Sequence, residues 1–242
     1  MRPDVLVLGV AFADLIGADP QGALVRHALR DLDCSFGPAR AGTRRSVLLV
    51  GPDGRRTSFY DARATPGERL PKEAYAGVRP RHAHVSIMDF CRHLYADLSG
   101  VPTSTDLHDW DGADDYHEDF AYRSDLVFLS AAALSDPAAT MRSVLERGRA
   151  HTVVCTRGAD GCLVLTRDGG PRAFPAAPPP GPVADSNGAG DAFVSGFLYG
   201  RLRGRPLAEC VRLGAVAGAH ACTVPGTHES PISESLLLRR AG

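Results

Sequence analysis

Short apolar runs rich in β-branched residues alternate with segments of helical spacing, and this alternation restricts the fold more than any other feature. Val5 to Leu8 is a continuous apolar run closed by Gly9, as a parallel strand buried on both faces requires. Residues 22–32 (GALVRHALRDL) place Leu24, Ala28, Leu29 and Leu32 on one helical face. Ser46 to Val50 predicts a strand, 51–54 (GPDG) a turn, and Thr57 to Tyr60 the returning hairpin partner. Strands are expected over His82 to Ile87, Val101 to Leu107 and Leu126 to Leu129, and helices over Cys91 to Ser99 and Pro137 to Gly148. His151 to Thr156 and Cys162 to Thr166 read as a second hairpin, joined by RGADG (157–161). The last third predicts helices over Asp191 to Leu202 and Leu207 to Cys222, then a short one capped by Ser230 and led by Pro231. Strands interleaved with helices in this way argue a parallel or mixed sheet covered by helices on both faces.

A chain of 242 residues fits one α/β domain, so 1–242 is expected to fold as a single unit. The proline-rich stretch 175–182 (PAAPPPGP) looks like a linker, but the chain beyond it is too short for a second core. It reads as an extended edge segment. A formal charge of −1 gives no electrostatic case for nucleic acid or an anionic membrane. Lys72 is the single lysine among 27 Lys and Arg, which excludes a Walker-type phosphate loop, because that loop needs Lys directly after its glycine. The six cysteines show no C-x-x-C pair and no zinc spacing, so free thiols in a reducing cytosol fit better than disulfides. The apolar N-terminal run, broken by Asp14, is too short for a signal peptide or a membrane span, and a cytoplasmic protein is expected.

The chemistry is carried by 184–200 (ADSNGAGDAFVSGFLYG), read as a β-run ending in a glycine-rich turn that opens into an apolar helix. Such a junction has unpaired N–H groups at the positive end of the helix dipole, which attract an anion. Gly188 and Gly190 allow close approach of the backbone to that anion. Asp191 is odd there, since it sets negative charge beside a phosphate. The oddity resolves if Asp191 accepts a proton from a hydroxyl that attacks the phosphoryl group. For a generic Gly-Asp-helix junction a plain helix cap is the simpler account.

The nonamer DSNGAGDAF (185–193) resembles the signature of the ribokinase (PfkB) family of carbohydrate kinases. The resemblance extends over most of the chain. VLVLGVAFADLI (5–16) is similar to the family's first strand, ending in an Asp that binds sugar hydroxyls, here Asp14. Residues 18–34 resemble its D-x-x-G helix, and SVLLVGPDGRRTSFY (46–60) the hairpin that builds part of a substrate lid. VVCTRGADGCLVL (153–165) resembles the strand-turn-strand beside the nucleotide, with Thr156, Gly158 and Gly161 near it. ACTVPGTHESP (221–231) resembles the loop near the adenine and a monovalent cation. The resemblance implies a three-layer α/β/α ribokinase-like sandwich with a reduced β lid, using ATP and Mg²⁺. The γ-phosphoryl group would pass to a hydroxymethyl of a sugar or nucleoside. Asp191 would be the base, the N–H groups of Gly188, Ala189 and Gly190 would stabilise charge, and Asp185 with the Asn187 carbonyl would face a potassium-like ion.

Two departures stand out. Only LIGA separates Asp14 from Asp19, where family members carry lid strands, a substrate-gripping loop, a helix and a core strand; the site is expected to be more open. The family's N-x-x-E motif appears as Ser130-Ala131-Ala132-Ala133, without its carboxylate. These losses sustain a second reading, a degenerate non-catalytic relative that binds nucleotide or a partner protein. A nicotinamide-dependent Rossmann enzyme finds no support, since no G-x-G-x-x-G comes after the first strand.

The acidic loop 106–119, with His108 and His117, matches no specific metal geometry and reads as solvated. Asp106 alone, at a predicted strand end, is a candidate for contact with substrate or Mg²⁺. His82 and His84 are assigned to strand packing, and Arg55, Arg56 and Arg63 to solvated surface. The acceptor stays open among pentose, hexose, sugar phosphate and nucleoside. An exposed lid edge favours pairing into a homodimer.

Overall fold

The computed structural model describes residues 6–8, 13–51, 56–61, 65–224, 226 and 230–242. The chain divides into two units, Met1–Thr103 and Ser104–Gly242. Among the sequence features considered, Arg55, Arg63, most of the 51–54 turn and part of the 221–231 loop lie outside the described residues, as does the side chain of Arg56.

The N-terminal unit contains β1 (Leu6–Leu8), β2 (Ala13–Ile16), α1 (Pro20–Ala28), β3 (Ser35–Pro38), β4 (Ser46–Val50), β5 (Arg56–Tyr60), β6 (Ala83–Val85) and α2 (Leu94–Asp97). Strands β6, β1, β2 and β3 lie side by side and all parallel. The predicted lid hairpin is a separate antiparallel pair, β4 with β5, Ser46 opposite Tyr60.

One expectation is corrected by the strand pairing. Residues 5–16 do not form one strand ending at Asp14: β1 and β2 are distinct parallel neighbours, with Leu8 opposite Ala13. Parallel neighbours ordinarily need a crossover of about a dozen residues or more, and only 9–12 separate these two. Asp14 and Asp19 are in turn separated only by 15–18. The latter stretch is closed by a local interlock. Asp19 caps α1, its Oδ1 accepting the Gly22 N–H at 2.8 Å and the Thr43 hydroxyl at 2.7 Å. Its Oδ2 accepts the Thr43 N–H at 2.7 Å, while Thr43 Oγ1 accepts the Gly17 N–H at 3.0 Å. Gly22 has no room for a side chain, since a Cβ would lie 2.2 Å from the Gly17 carbonyl oxygen.

A second correction concerns α1. Its expected core face is solvent-exposed, with Leu24 at 69 % and Leu32 just beyond the helix at 49 %. Amphipathic spacing shows where apolar groups gather but not whether anything covers them.

The C-terminal unit contains β7 (Thr103–Asp106), α3 (Glu118–Arg123), β8 (Leu126–Ser130), α4 (Pro137–Arg147), β9 (Thr152–Thr156), β10 (Cys162–Thr166), β11 (Arg172–Phe174), α5 (Ala189–Leu202), α6 (Leu207–Ala221) and α7 (Glu234–Ala241). Strands β7, β8 and β9 are parallel, and β10 and β11 extend the sheet antiparallel, so the hairpin expected across 157–161 is present. The core forms where Phe128 on β8 meets Phe193 and Phe197 on α5, all edge-on or stacked, with Val154, Val164, Cys210 and Val211 around them. Such apolar burial is the main stabilising contribution to this unit.

Smaller differences reflect local chemistry. No strand leads into the glycine-rich turn; 175–188 is irregular, as a run with five prolines lacks the N–H donors that a sheet ladder needs. The last helix is capped by Ser233, whose Oγ accepts the Leu236 N–H at 3.3 Å, not by Ser230. Helix α3 adds to the expected elements, filling part of the acidic segment read as loop. None of the six cysteines is in a disulfide, and Cys91, Cys155, Cys162 and Cys210 are buried.

Candidate active site

Three parallel strands of the C-terminal unit end next to one another, β7 at Asp106, β8 at Ser130 and β9 at Thr156. Loops at the carboxyl ends of such strands are where α/β sheets place ligands. Helix α5 begins beside them. Its cap, Gly188, has φ 75°, a left-handed conformation that a residue with a Cβ enters at a cost. Ala189, Gly190 and Asp191 make the first turn, where N–H groups have no carbonyl four residues earlier to bond.

The loop before the helix is held from two sides. Ala184 and Asp185 donate their N–H groups to the Cys222 carbonyl oxygen, at 2.8 and 3.3 Å, which ties the loop to the end of α6. Asp185 Oδ1 accepts the Asn187 N–H at 2.9 Å, and Ala189 donates to the Ser186 carbonyl at 3.3 Å. The turn is thus built by its own side chains and presents its glycines outward.

Asp106 and Asp191 converge on this turn. A Cβ on Gly190 would stand 3.9 Å from Asp106 Oδ2, so that carboxylate lies against the first turn of α5. Asp191 is exposed to solvent at its edge, yet protein crowds its carboxyl. Desolvation raises its pKa above the ordinary 3.8; nearby His108 opposes the rise and Asp106 adds to it. The Asp191 carbonyl also accepts the Ser195 hydroxyl at 2.8 Å, which fixes the helix turn behind the carboxylate.

The other predicted residues divide. Thr156 lies at the strand end, its Oγ1 donating to the Leu129 carbonyl at 3.4 Å. Gly158 has φ 57° with open space around it, as a backbone that meets a ligand needs. Gly161 has φ 81°, and a Cβ there would fall 2.0 Å from the Phe174 carbonyl oxygen, so the approach of β11 already accounts for it. Asp14 belongs to the N-terminal unit. Burial lifts its carboxyl to about 7, against the pull of the Leu15 N–H at 2.7 Å and of Arg44. It sits on β2.

The Ser130–Ala133 segment, which stands where the family motif has a carboxylate and this chain has none, is a pinned turn. Ala131 donates to the Thr156 carbonyl at 2.8 Å and Ala132 to Ser130 Oγ at 3.2 Å. The acidic loop beyond β7 is largely self-capping: Asp111 accepts the N–H groups of Ala113 and Asp114, and Asp114 that of Tyr116. Among the described residues no group of three metal-ligating side chains gathers anywhere. His108, which the sequence places in a solvated loop, is drawn into the site by its position two residues after a strand-ending Asp. That spacing was the available signal.

Residues 120–234 match the family described as pfkB family carbohydrate kinase. Over 244 residues the chain is 50 % identical to the acarbose 7(IV)-phosphotransferase of an Actinoplanes species, covering 98 % of this chain and 82 % of that one. The solved structure of a microbiome-derived acarbose kinase superposes with a TM-score of 0.87 at 43 % identity, covering 96 % of this chain and 80 % of the other. Arabidopsis thaliana ribokinase, solved with ribose and ATP, shares the fold at 17 % identity with a TM-score of 0.80. It covers 100 % of this chain and 99 % of its own.

Proposed function

The chain belongs to the pfkB family of carbohydrate kinases and is an ATP-dependent phosphotransferase with an alcohol acceptor, and from that premise we propose that its acceptor is acarbose or a carbohydrate of that kind. The observation that carries this is 50 % identity running through 98 % of the chain to an enzyme named for acarbose. Relatives named for nucleosides match at comparable identity only over shorter stretches, as the Thermococcus kodakarensis cytidine kinase does over 38 % of this chain.

In the proposed step the acceptor hydroxyl loses its proton to Asp191 as its oxygen bonds to the γ-phosphorus, and the bond to the ADP oxygen breaks. A base of raised pKa holds the transferred proton better than an ordinary carboxylate would. The N–H groups of Gly188 and Gly190, with that of Ala189 on leaving the Ser186 carbonyl, stabilise charge on the phosphoryl oxygens, and Asp106, at the same helix turn, orients the acceptor. Thr156 and Gly158 border the nucleotide phosphates.

Mg²⁺ enters with ATP. When bound, it would neutralise charge on the phosphates, with Asp106 the nearest carboxylate of the site that could reach it or its waters. A potassium-like ion behind the loop fits Asp185 and the Asn187 carbonyl, which the 2.9 Å Asp185–Asn187 bond holds together. The two units act as one kinase domain. Exposed Val47, Leu49, Phe59 and Tyr60 on the β4–β5 hairpin support pairing with a second copy. No helix among the described residues is long and apolar enough to cross a membrane, and an ATP-consuming enzyme of this kind belongs in the cytoplasm.

The test is coupled ADP release with acarbose, ribose, cytidine or no acceptor, for the parent and Asp191→Asn. We expect acarbose-dependent release that falls at least about a hundredfold in the variant while ATP affinity changes little. Release with ribose or cytidine alone would overturn the acceptor; an undiminished variant would overturn the base.

A further inference from the structure

His108 is the one non-glycine among the described residues with a left-handed backbone, φ 53°. An L-residue with a Cβ enters that region at a cost, and a bulky one held there at the edge of a site invites a functional explanation. The conformation is enforced by its neighbours. Leu107, fully buried, donates its N–H to the Phe128 carbonyl at 2.9 Å. The His108 N–H donates to Asp106 Oδ1 at 2.9 Å, and its carbonyl accepts the Ser130 N–H at 2.6 Å. The backbone is pinned to β7 on one side and β8 on the other.

The result is to bring the imidazole over the carboxylates. His108 Nδ1 is 3.8 Å from Asp106 Oδ2, the same oxygen that lies against Gly190. Half of the ring remains exposed, which leaves the far nitrogen open. Asp191 feels the charge of His108 and that of Asp106 with opposite signs. His108 also acts on His117, which feels Asp109, Asp111 and Asp114 as well. Two carboxylates gathered where a phosphoryl group must arrive repel both one another and the phosphate. His108, 3.8 Å from Asp106 and close enough to act on Asp191, works against that repulsion.

We propose that His108 is a positioning residue of phosphoryl transfer, keeping Asp106 and Asp191 in place together at the first turn of α5 as the phosphoryl group arrives. This rests on the reading of Asp191 as the base. The strained turn is retained because it aims the ring, and glycine, which would relieve the strain, would forfeit the function.

That contrast supplies the test. His108→Gly keeps the backbone shape and removes the cost of a left-handed Cβ, so its melting temperature should equal or exceed that of the parent. Turnover should nevertheless fall about ten- to a hundredfold, with the Kd for ATP moving less than about threefold. His108→Asn, which tolerates the same backbone but has no imidazole, should lose turnover similarly. Asp191→Asn is measured alongside. Loss in Asp191→Asn with full turnover in His108→Gly overturns the proposal and leaves the base intact. Undiminished turnover in Asp191→Asn overturns both. A His108→Gly protein that is less active only because it melts earlier also overturns it, since a structural role would suffice.

Discussion

The two units of this chain are built from similar elements and both bury large side chains, Leu70, Phe90 and Leu94 in the first, but the first also sets the apolar residues of a whole hairpin in solvent. In the C-terminal unit the large side chains close on one another: Phe128 and Phe197 are each 1 % exposed. In the N-terminal unit Leu24 on α1 and Val47, Leu49, Phe59 and Tyr60 on the hairpin stand out in solvent, Tyr60 at 80 %. The short link at 9–12 lies in that same unit. The glycine-rich turn, Asp191 and Asp106 all belong to the unit whose core is closed. The turn proposed to bind the phosphoryl group thus belongs to the unit with the Phe128, Phe193 and Phe197 core, although the Ser130–Ala133 segment of that unit has no carboxylate. A base and its anion site must be held rigidly to work, whereas a lid gates access and tolerates variation.

The contrast can be broken by mutation. Phe197→Ala should cost about 3–5 kcal/mol in chemical denaturation, because it empties the shared contact of β8, α5 and α6. Phe59→Ala should cost less than about 0.5 kcal/mol and should change subunit association, read by light scattering, if the hairpin pairs two copies. Equal costs at the two positions would show that the hairpin is packed within the chain.

A second measurement probes charge in the N-terminal unit. With Asp14 lifted to about 7, the folded chain retains a proton that the unfolded chain has already released. Stability should therefore fall as pH rises from about 4 to about 7 and level off above, by an amount on the order of 2–4 kcal/mol. Asp14→Asn, which keeps an oxygen for the Leu15 N–H, should remove that slope and be the more stable protein at pH 8. A parent protein with no slope over this window would mean that Asp14 is well solvated.

The smallest effect is expected on α1. Leu24→Ser should leave stability within about 0.5 kcal/mol, since the side chain covers nothing. A loss above about 2 kcal/mol would mean that this face is covered in solution.

Much of this was legible in the residues. The hairpins at 46–60 and 152–166, helices α4, α5 and α6, and the turn at 185–191 are set by apolar spacing and turn chemistry. The end of β2 was legible too, but its start was not. Val5 to Ile16 is apolar nearly throughout, and such a run does not say where one strand stops and its parallel neighbour begins. That ambiguity leaves Asp14 assigned to the first strand, where the structure has it on the second. The cap of α7 is ambiguous for a similar reason, because Ser230-Pro231 and Ser233-Glu234 are both acceptable helix starts.

Local chemistry, readable in order along the chain, determined the elements and the anion-binding turn: glycine where φ is positive, Asp in the first helical turn, β-branched runs in the strands. Tertiary structure alone decided which of these meet. Asp106 and Asp191 are far apart in the chain, and only the ending of β7 beside the start of α5 brings both acids to one turn. His108 has no distinctive sequence pattern; the pinning of its backbone between Asp106 and Ser130 turns its ring toward them. Exposure was likewise decided in three dimensions, since the spacing that buries Phe197 and the spacing that exposes Leu24 are both amphipathic. Periodicity is a property of one segment, and burial depends on whether a second segment covers it.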